Sequence, residues 1–151
     1  MSDARLYEDL IMEHINNARN YRVLDDADRT ATGSNPLCGD DMLVYLKMDG
    51  QRIADAAFQC TCCGISMASA SIMTEMVKGR LAHDAKALLR DFVAMINTRT
   101  ASASQPMSAE RLAMLETIKR FPARTRCAAL PWMTLQGALD CLQDAVVVPA
   151  T

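Results

Sequence analysis

The run Met42-Leu43-Val44-Tyr45-Leu46-Lys47-Met48-Asp49-Gly50-Gln51-Arg52-Ile53-Ala54-Asp55-Ala56-Ala57-Phe58-Gln59-Cys60 decides the fold class of this chain. Met42, Val44, Leu46 and Met48 recur every second residue, and Ala54, Ala56, Phe58 and Cys60 do the same beyond Asp49-Gly50. A repeat of two is the period of a half-buried strand, and Asp-Gly between two such runs is a strong hairpin signal. The segment predicts two antiparallel strands sharing one apolar face. A weaker stretch, Arg29 to Thr32, adds an edge strand, giving a small antiparallel three-stranded sheet.

Helical periods surround this sheet. Tyr7, Ile11, His14 and Ala18 are spaced by four and three, which predicts a helix over 3–19 capped by Ser2 or Asp3. Further helices are expected over 66–78, ended by Gly79, and over 84–97, with Leu88, Leu89, Phe92, Val93 and Ile96 facing inward. Residues 98–108 read as a surface loop, and Ser108 can cap a short helix to Lys119. A last helix carries Ala128, Trp132, Leu135, Leu139 and Leu142, with Pro131 tolerable only in its first turn. Cys141 lies on that helix and reads as structural, while the tail from Val146 reads as frayed. The expected class is α+β, a three-stranded sheet covered by helices in a single domain over 1–151. His14 reads as a packed, hydrogen-bonded core residue, and Met67, Met73 and Met76 as core packing rather than copper ligands.

Composition narrows the function. The chain has 151 residues, half of them apolar, enough for one domain with a real core. Its net charge of -2, without a Lys/Arg run, leaves no electrostatic footprint for nucleic acid or an anionic membrane. No apolar stretch approaches the roughly 20 residues that cross a bilayer, so the chain reads as cytoplasmic. Six cysteines in that compartment point to metal or sulfur chemistry before a disulfide framework.

The thiols are concentrated. Cys60, Cys62 and Cys63 crowd against the start of the helix that begins near Ser66, and Cys127 opens the last helix. Helix N-termini favour thiolate, the form that ligates metals and attacks sulfur. Cys38 and Asp40 lie on a turn before the hairpin, at the end where Cys60 to Cys63 leave its second strand. A set of Cys, Asp, Cys and Cys suits tetrahedral zinc or an iron-sulfur cluster. A dithiol redox motif over Cys60 to Cys63, or small buried cysteines without chemistry, are the competing readings.

Three motifs in register extend this reading: Asn35-Pro36-Leu37-Cys38-Gly39-Asp40, Cys63-Gly64-Ile65-Ser66-Met67-Ala68-Ser69-Ala70-Ser71 and Phe121-Pro122-Ala123-Arg124-Thr125-Arg126-Cys127-Ala128. Together they resemble the U-type iron-sulfur cluster assembly proteins, of SufE/NifU-like fold: the SufU branch above all, related to IscU and the NifU N-terminal domain. The resemblance implies a metal site of Cys38, Asp40, Cys63 and Cys127 for zinc or a cluster, with Cys38 as sulfur acceptor. It also implies that Arg124 engages the partner, a PLP-dependent cysteine desulfurase of the SufS kind. SUF-type assembly proteins or apo iron-sulfur proteins would stand downstream. Arg126 replaces a histidine of the IscU branch, again as in SufU.

One departure is plain. The family carries glycines where this chain has Cys60 and Cys62, and a cysteine forced to positive φ costs about 1 kcal/mol or more. Either the loop has changed shape, or the extra thiols add metal ligands or resolve a persulfide as a disulfide. They leave open which of Cys60, Cys62 and Cys63 is the ligand. The leading function is a zinc-bound sulfur carrier, a sulfurtransferase-like accessory to the desulfurase. The alternative is a scaffold for a [2Fe-2S] or [4Fe-4S] cluster, and a structural zinc adaptor without sulfur chemistry is the reading from another class.

Overall fold

The computed structural model describes residues 3–36, 39–100, 108–141 and 146–148. The hairpin forms as its alternation dictates. Strands β2 (Asp40–Asp49) and β3 (Arg52–Thr61) pair antiparallel, with Val44 opposite Phe58, Leu46 opposite Ala56 and Met42 opposite Cys60. Ala54 departs from the predicted face. The register slips between Lys47 and Met48, Ala54 is left over and exposed, and buried Ile53 takes the inward place opposite Met48. A bulge shifts the alternation by one residue, which a strict count by two cannot follow.

Strand β1 (Arg29–Asn35) is longer than predicted and pairs antiparallel with β2 along its whole length, from Arg29 opposite Leu46 to Asn35 opposite Asp40. It is not an edge. In the supposedly frayed tail, β4 (Val146–Val147) adds to it in parallel, so the sheet has four strands in the order β3-β2-β1-β4. The expected three-stranded antiparallel sheet is thus a four-stranded mixed one, because two residues carry no period to read. The α+β class holds.

The opposite edge is also covered. Arg22 N–H donates to the Phe58 carbonyl at 3.1 Å, and Phe58 N–H donates to the Asn20 carbonyl at 3.0 Å. Helix α1 (Asp3–Asn16) therefore stops short of residue 19: the chain turns at Asn20, φ 63°, to run along β3 and close its ladder.

Helices α2 (Gly64–Val77) and α5 (Thr125–Leu139) cover the apolar face of the sheet, with α1, α3 (Ala82–Thr98) and α4 (Ala109–Arg120) packed outside them. A Cβ at Gly33 would collide with Thr134 Oγ1, so the missing side chain lets α5 press directly on β1. Phe92 of α3 stacks on Trp132 of α5 with ring centroids 4.2 Å apart. Ser108 caps α4 as predicted, accepting from Arg111 N–H at 3.3 Å. Cys141 is not on α5 but beyond its end, exposed and at φ 56°, a left-handed geometry common after a helix C-terminus. Leu142 and residues 101–107 of the expected loop lie outside the described residues.

His14 is 1% exposed, and its Nδ1 lies 2.7 Å from Ser71 Oγ, which also accepts Arg19 N–H at 2.8 Å. Burial first, and the positive charge of Arg19 second, hold the imidazole below its ordinary pKa against the pull of Glu75, Glu110 and Glu13. The folded protein thus keeps His14 neutral where the unfolded chain, with a pKa of about 6.5, begins to bind a proton. Its contribution to stability is complete above about pH 6.5 and falls as the pH drops below that value. In urea titrations of the metal-free protein, the wild type should lose more stability between neutral and mildly acid pH than His14→Asn. Equal slopes for the two proteins would rule out His14 as the titrating group.

Candidate metal centre

One end of the sheet meets the starts of two helices. Asp40 opens β2, Cys63 is the N-cap residue of α2, and Cys127 is in the first turn of α5. Their ligand atoms all lie within 4.8 Å of one another. Sheet register brings them together: Asn35 pairs with Asp40 and Asp41 with Thr61, so the chain leaves β3 beside the start of β2. The turn between β1 and β2 is closed by Gly39 N–H donating to the Asn35 carbonyl at 2.9 Å, with Gly39 at φ 70°.

The start of α2 has little local protection. It has no acidic residue in its first turn and only the Cys63 sulfur, a weak acceptor, at its N-cap. Asp40 caps it from the sheet: Oδ1 accepts the Cys63 N–H at 3.2 Å, and Oδ2 lies 3.3 Å from the Ser66 hydroxyl. This carboxylate is 5% exposed, and burying such a charge is costly without compensating donors or a cation.

Ser66 joins the two helices. Pro131 sits inside α5, as its seventh residue, rather than in the first turn. Lacking an N–H, it leaves the carbonyl four residues earlier, that of Cys127, without its helical partner. The Ser66 hydroxyl takes that carbonyl at 2.9 Å, and Ser69 Oγ donates to the next one, Ala128, at 2.7 Å. The proline is tolerated because α2 supplies what it removes.

The Cys63 thiol is pulled down to about 5, above all by a hydrogen bond with the Cys127 thiol. The backbone and hydroxyl of Ser66 act the same way, against the opposing effects of partial burial and the Asp40 charge. Cys127 is fully buried, with Asn35 Nδ2 3.8 Å from its sulfur. Asn35 Oδ1, also buried, has no hydrogen-bond partner among the described residues. Two sulfurs and a carboxylate at a helix N-terminus form a donor set for a borderline-soft cation such as zinc, whose tetrahedral ligands stand about 3.5 to 4 Å apart. The residues fit that ion with a small contraction.

Of the residues the sequence singled out, Asp40, Cys63 and Cys127 converge, and Cys38 lies outside the described residues. Cys60 and Cys62 are joined to each other by a disulfide. Neither has a positive φ, so cysteine in place of glycine imposes no backbone strain here. Arg124 is exposed and ends the 3₁₀ turn Pro122–Arg124 just before α5. Ser66 and Asn35 stood inside quoted motifs without assigned roles. A proline four residues after Cys127 was the legible sign that a donor from another element was needed.

Comparisons with known proteins show the family and the fold. A model of the NifU-like N-terminal domain matches residues 6–128. The zinc-dependent sulfurtransferase SufU of Bacillus subtilis is 37% identical over 131 residues, 87% of each chain. The iron-sulfur cluster assembly scaffold protein IscU of Thermotoga maritima is 31% identical over 134 residues, 89% of this chain and 92% of its own. A crystal structure from Fervidobacterium islandicum, described as an iron-sulfur cluster assembly scaffold protein for the SUF system, superposes with a TM-score of 0.78 at 26% identity. It covers 91% of this chain and 99% of the other.

Ser66→Ala should cost about 1 to 3 kcal/mol in chemical denaturation, because a buried carbonyl and carboxylate each lose a donor. In metal-free protein the alkylation of Cys63 should shift its midpoint upward from about 5. An unmoved midpoint would remove Ser66 from the groups that hold this thiolate.

Proposed function

We propose that this chain, which belongs to the NifU-like N-terminal domain family, is an iron-sulfur cluster assembly protein working as a zinc-bound sulfur carrier for a cysteine desulfurase. The trio of buried Asp40, half-buried Cys63 and buried Cys127 carries this reading. Cys38 completes the ligand set and is the sulfur acceptor, as its place in the Asn35 to Asp40 motif implies. Zinc, when bound, keeps its thiol ligands deprotonated and draws three segments of chain together. The relative named for zinc and sulfur transfer covers most of this chain, and Arg126 follows the same branch.

In the transfer, the acceptor thiolate attacks the outer sulfur of the desulfurase persulfide, and the desulfurase leaves as a thiolate. Asp40 and Ser66 hold the start of α2 fixed while the acceptor is presented. Arg124, exposed beside the first turn of α5, is assigned to engagement of that enzyme, as its place in the Phe121 to Ala128 motif implies. No helix among the described residues is long and apolar enough to cross a membrane, and we assign the work to the cytoplasm.

The scaffold reading rests on the IscU relative and on the same sulfur-rich donor set, with an iron-sulfur cluster as cargo. Metal and acid-labile sulfide in protein purified without air, followed by desulfurase turnover, separate the two. About one zinc per chain, no sulfide and faster turnover are expected. Cys63→Ser and Cys127→Ser should lose the zinc, and Cys38→Ala should lose the acceleration. Full acceleration by Cys38→Ala would refute its role as acceptor. Iron and sulfide in matching amounts would make the protein a scaffold, with Asp40→Ala retaining its cluster longer. A structural zinc adaptor would unfold on thiol blockage and never carry a persulfide.

A further inference from the structure

Cys60 and Cys62 are not used by that reading. They stand two residues apart at the end of β3, so both side chains fall on the helix-covered side of the sheet, where Cys60 faces buried Met42. Their Cα atoms are 5.5 Å apart, within the ordinary span of a disulfide, and the bond is formed. Both residues are half-buried and packed on the core, while Thr61 between them is exposed. The strand end is clamped: Tyr21 Oη donates to the Cys60 carbonyl at 3.0 Å, and its ring meets Phe58 edge-on with centroids 5.2 Å apart. One peptide bond then leads from Cys62 to Cys63, whose sulfur lies within the donor trio. A dithiol that closes without positive φ therefore immediately precedes, along the chain, a cysteine of the donor trio.

We propose that Cys60 and Cys62 form a reductive release pair that turns a persulfide held at the centre into free sulfide, the disulfide in the structure being its oxidised product. The inference rests on the sulfur-carrier reading. The Cys62 thiol, losing its proton to solvent, attacks the outer sulfur of the persulfide. The new S–S bond is on Cys62, and the acceptor leaves as a thiolate. Cys60 then attacks the inner sulfur of the Cys62 persulfide, the Cys60–Cys62 bond forms, and hydrosulfide leaves. The two cysteine sulfurs give up two electrons in total, and the sulfane sulfur gains them. An external dithiol reductant resets the pair by thiol-disulfide exchange. The chain thereby carries the two electrons needed to release sulfide in the segment that leads into Cys63.

The test uses full-length protein, reduced and then freed of reductant, as wild type, Cys60→Ser, Cys62→Ser and the double variant. Each is loaded with sulfur in two ways, by desulfurase with cysteine and by inorganic polysulfide. Zinc content and the circular dichroism spectrum establish that each variant is folded. Wild type should release about one sulfide per chain in a first burst and form the Cys60–Cys62 disulfide, seen by mass as the loss of two hydrogens. The double variant should load sulfur normally and lose the burst by roughly tenfold or more. Cys60→Ser should trap one extra sulfur atom on Cys62. A burst of wild-type size from the double variant under both loadings would overturn the proposal, as would a wild type that holds its persulfide without forming the disulfide. A pair-dependent burst with polysulfide but not with the desulfurase would support the pair and overturn the desulfurase reading instead.

Discussion

A helix N-terminus whose N-cap is a cysteine governs this site. The first N–H groups of any helix lack intrahelical partners, and α2 has no acid in its first turn and only the Cys63 sulfur at its N-cap, a weak acceptor that takes the Ser66 N–H. Asp40 answers from the sheet, so the register of β1, β2 and β3 becomes the ruler of the centre. A slip of one residue would turn Asp40 to the opposite face and leave both the helix start and the cysteine beside it without support. Ser66 transmits the same constraint to α5, where Pro131 has freed a carbonyl that only a donor from outside the helix can satisfy. Two helices and a sheet are thus locked through one carboxylate and one hydroxyl.

The hairpin, the helices and the trio were legible because each left a pattern of its own. Alternation marked β2 and β3, a serine marked the start of α4, and clustered thiols marked the centre. What was missed left no such pattern. The bulge at Ala54 breaks the period it would need in order to be seen. β4 is two residues long and depends on β1 for its place, and the segment along the β3 edge is held by backbone groups that any residue has. Pro131 was read by the rule that excludes proline from helix interiors, and that rule fails where a neighbouring hydroxyl replaces the lost bond. The disulfide was foreseen only as one use of two extra thiols, since spacing alone does not choose between Cys60 to Cys62 and Cys60 to Cys63.

The electrostatics of the trio explain why such an arrangement serves a cation. Cys63 and Asp40 repel one another as anions, as the upward push of Asp40 on the thiol records. Among the described residues the donors include the Cys63 and Ser66 backbone groups, the Ser66 hydroxyl, whose single proton is shared between a carbonyl and the carboxylate, and the amide of Asn35. A hydroxyl cannot serve both acceptors fully at once, so among the described residues it compensates the buried charge only in part. A bound cation would offset that charge as the three ligands contract around it. Cys60 and Cys62, tied in a disulfide, add no negative charge to the cluster and leave its balance unchanged in that state. Reduction would place two more thiols beside it, so that opening the pair and handling sulfur at the centre are coupled through the chain segment from Cys60 to Ser66.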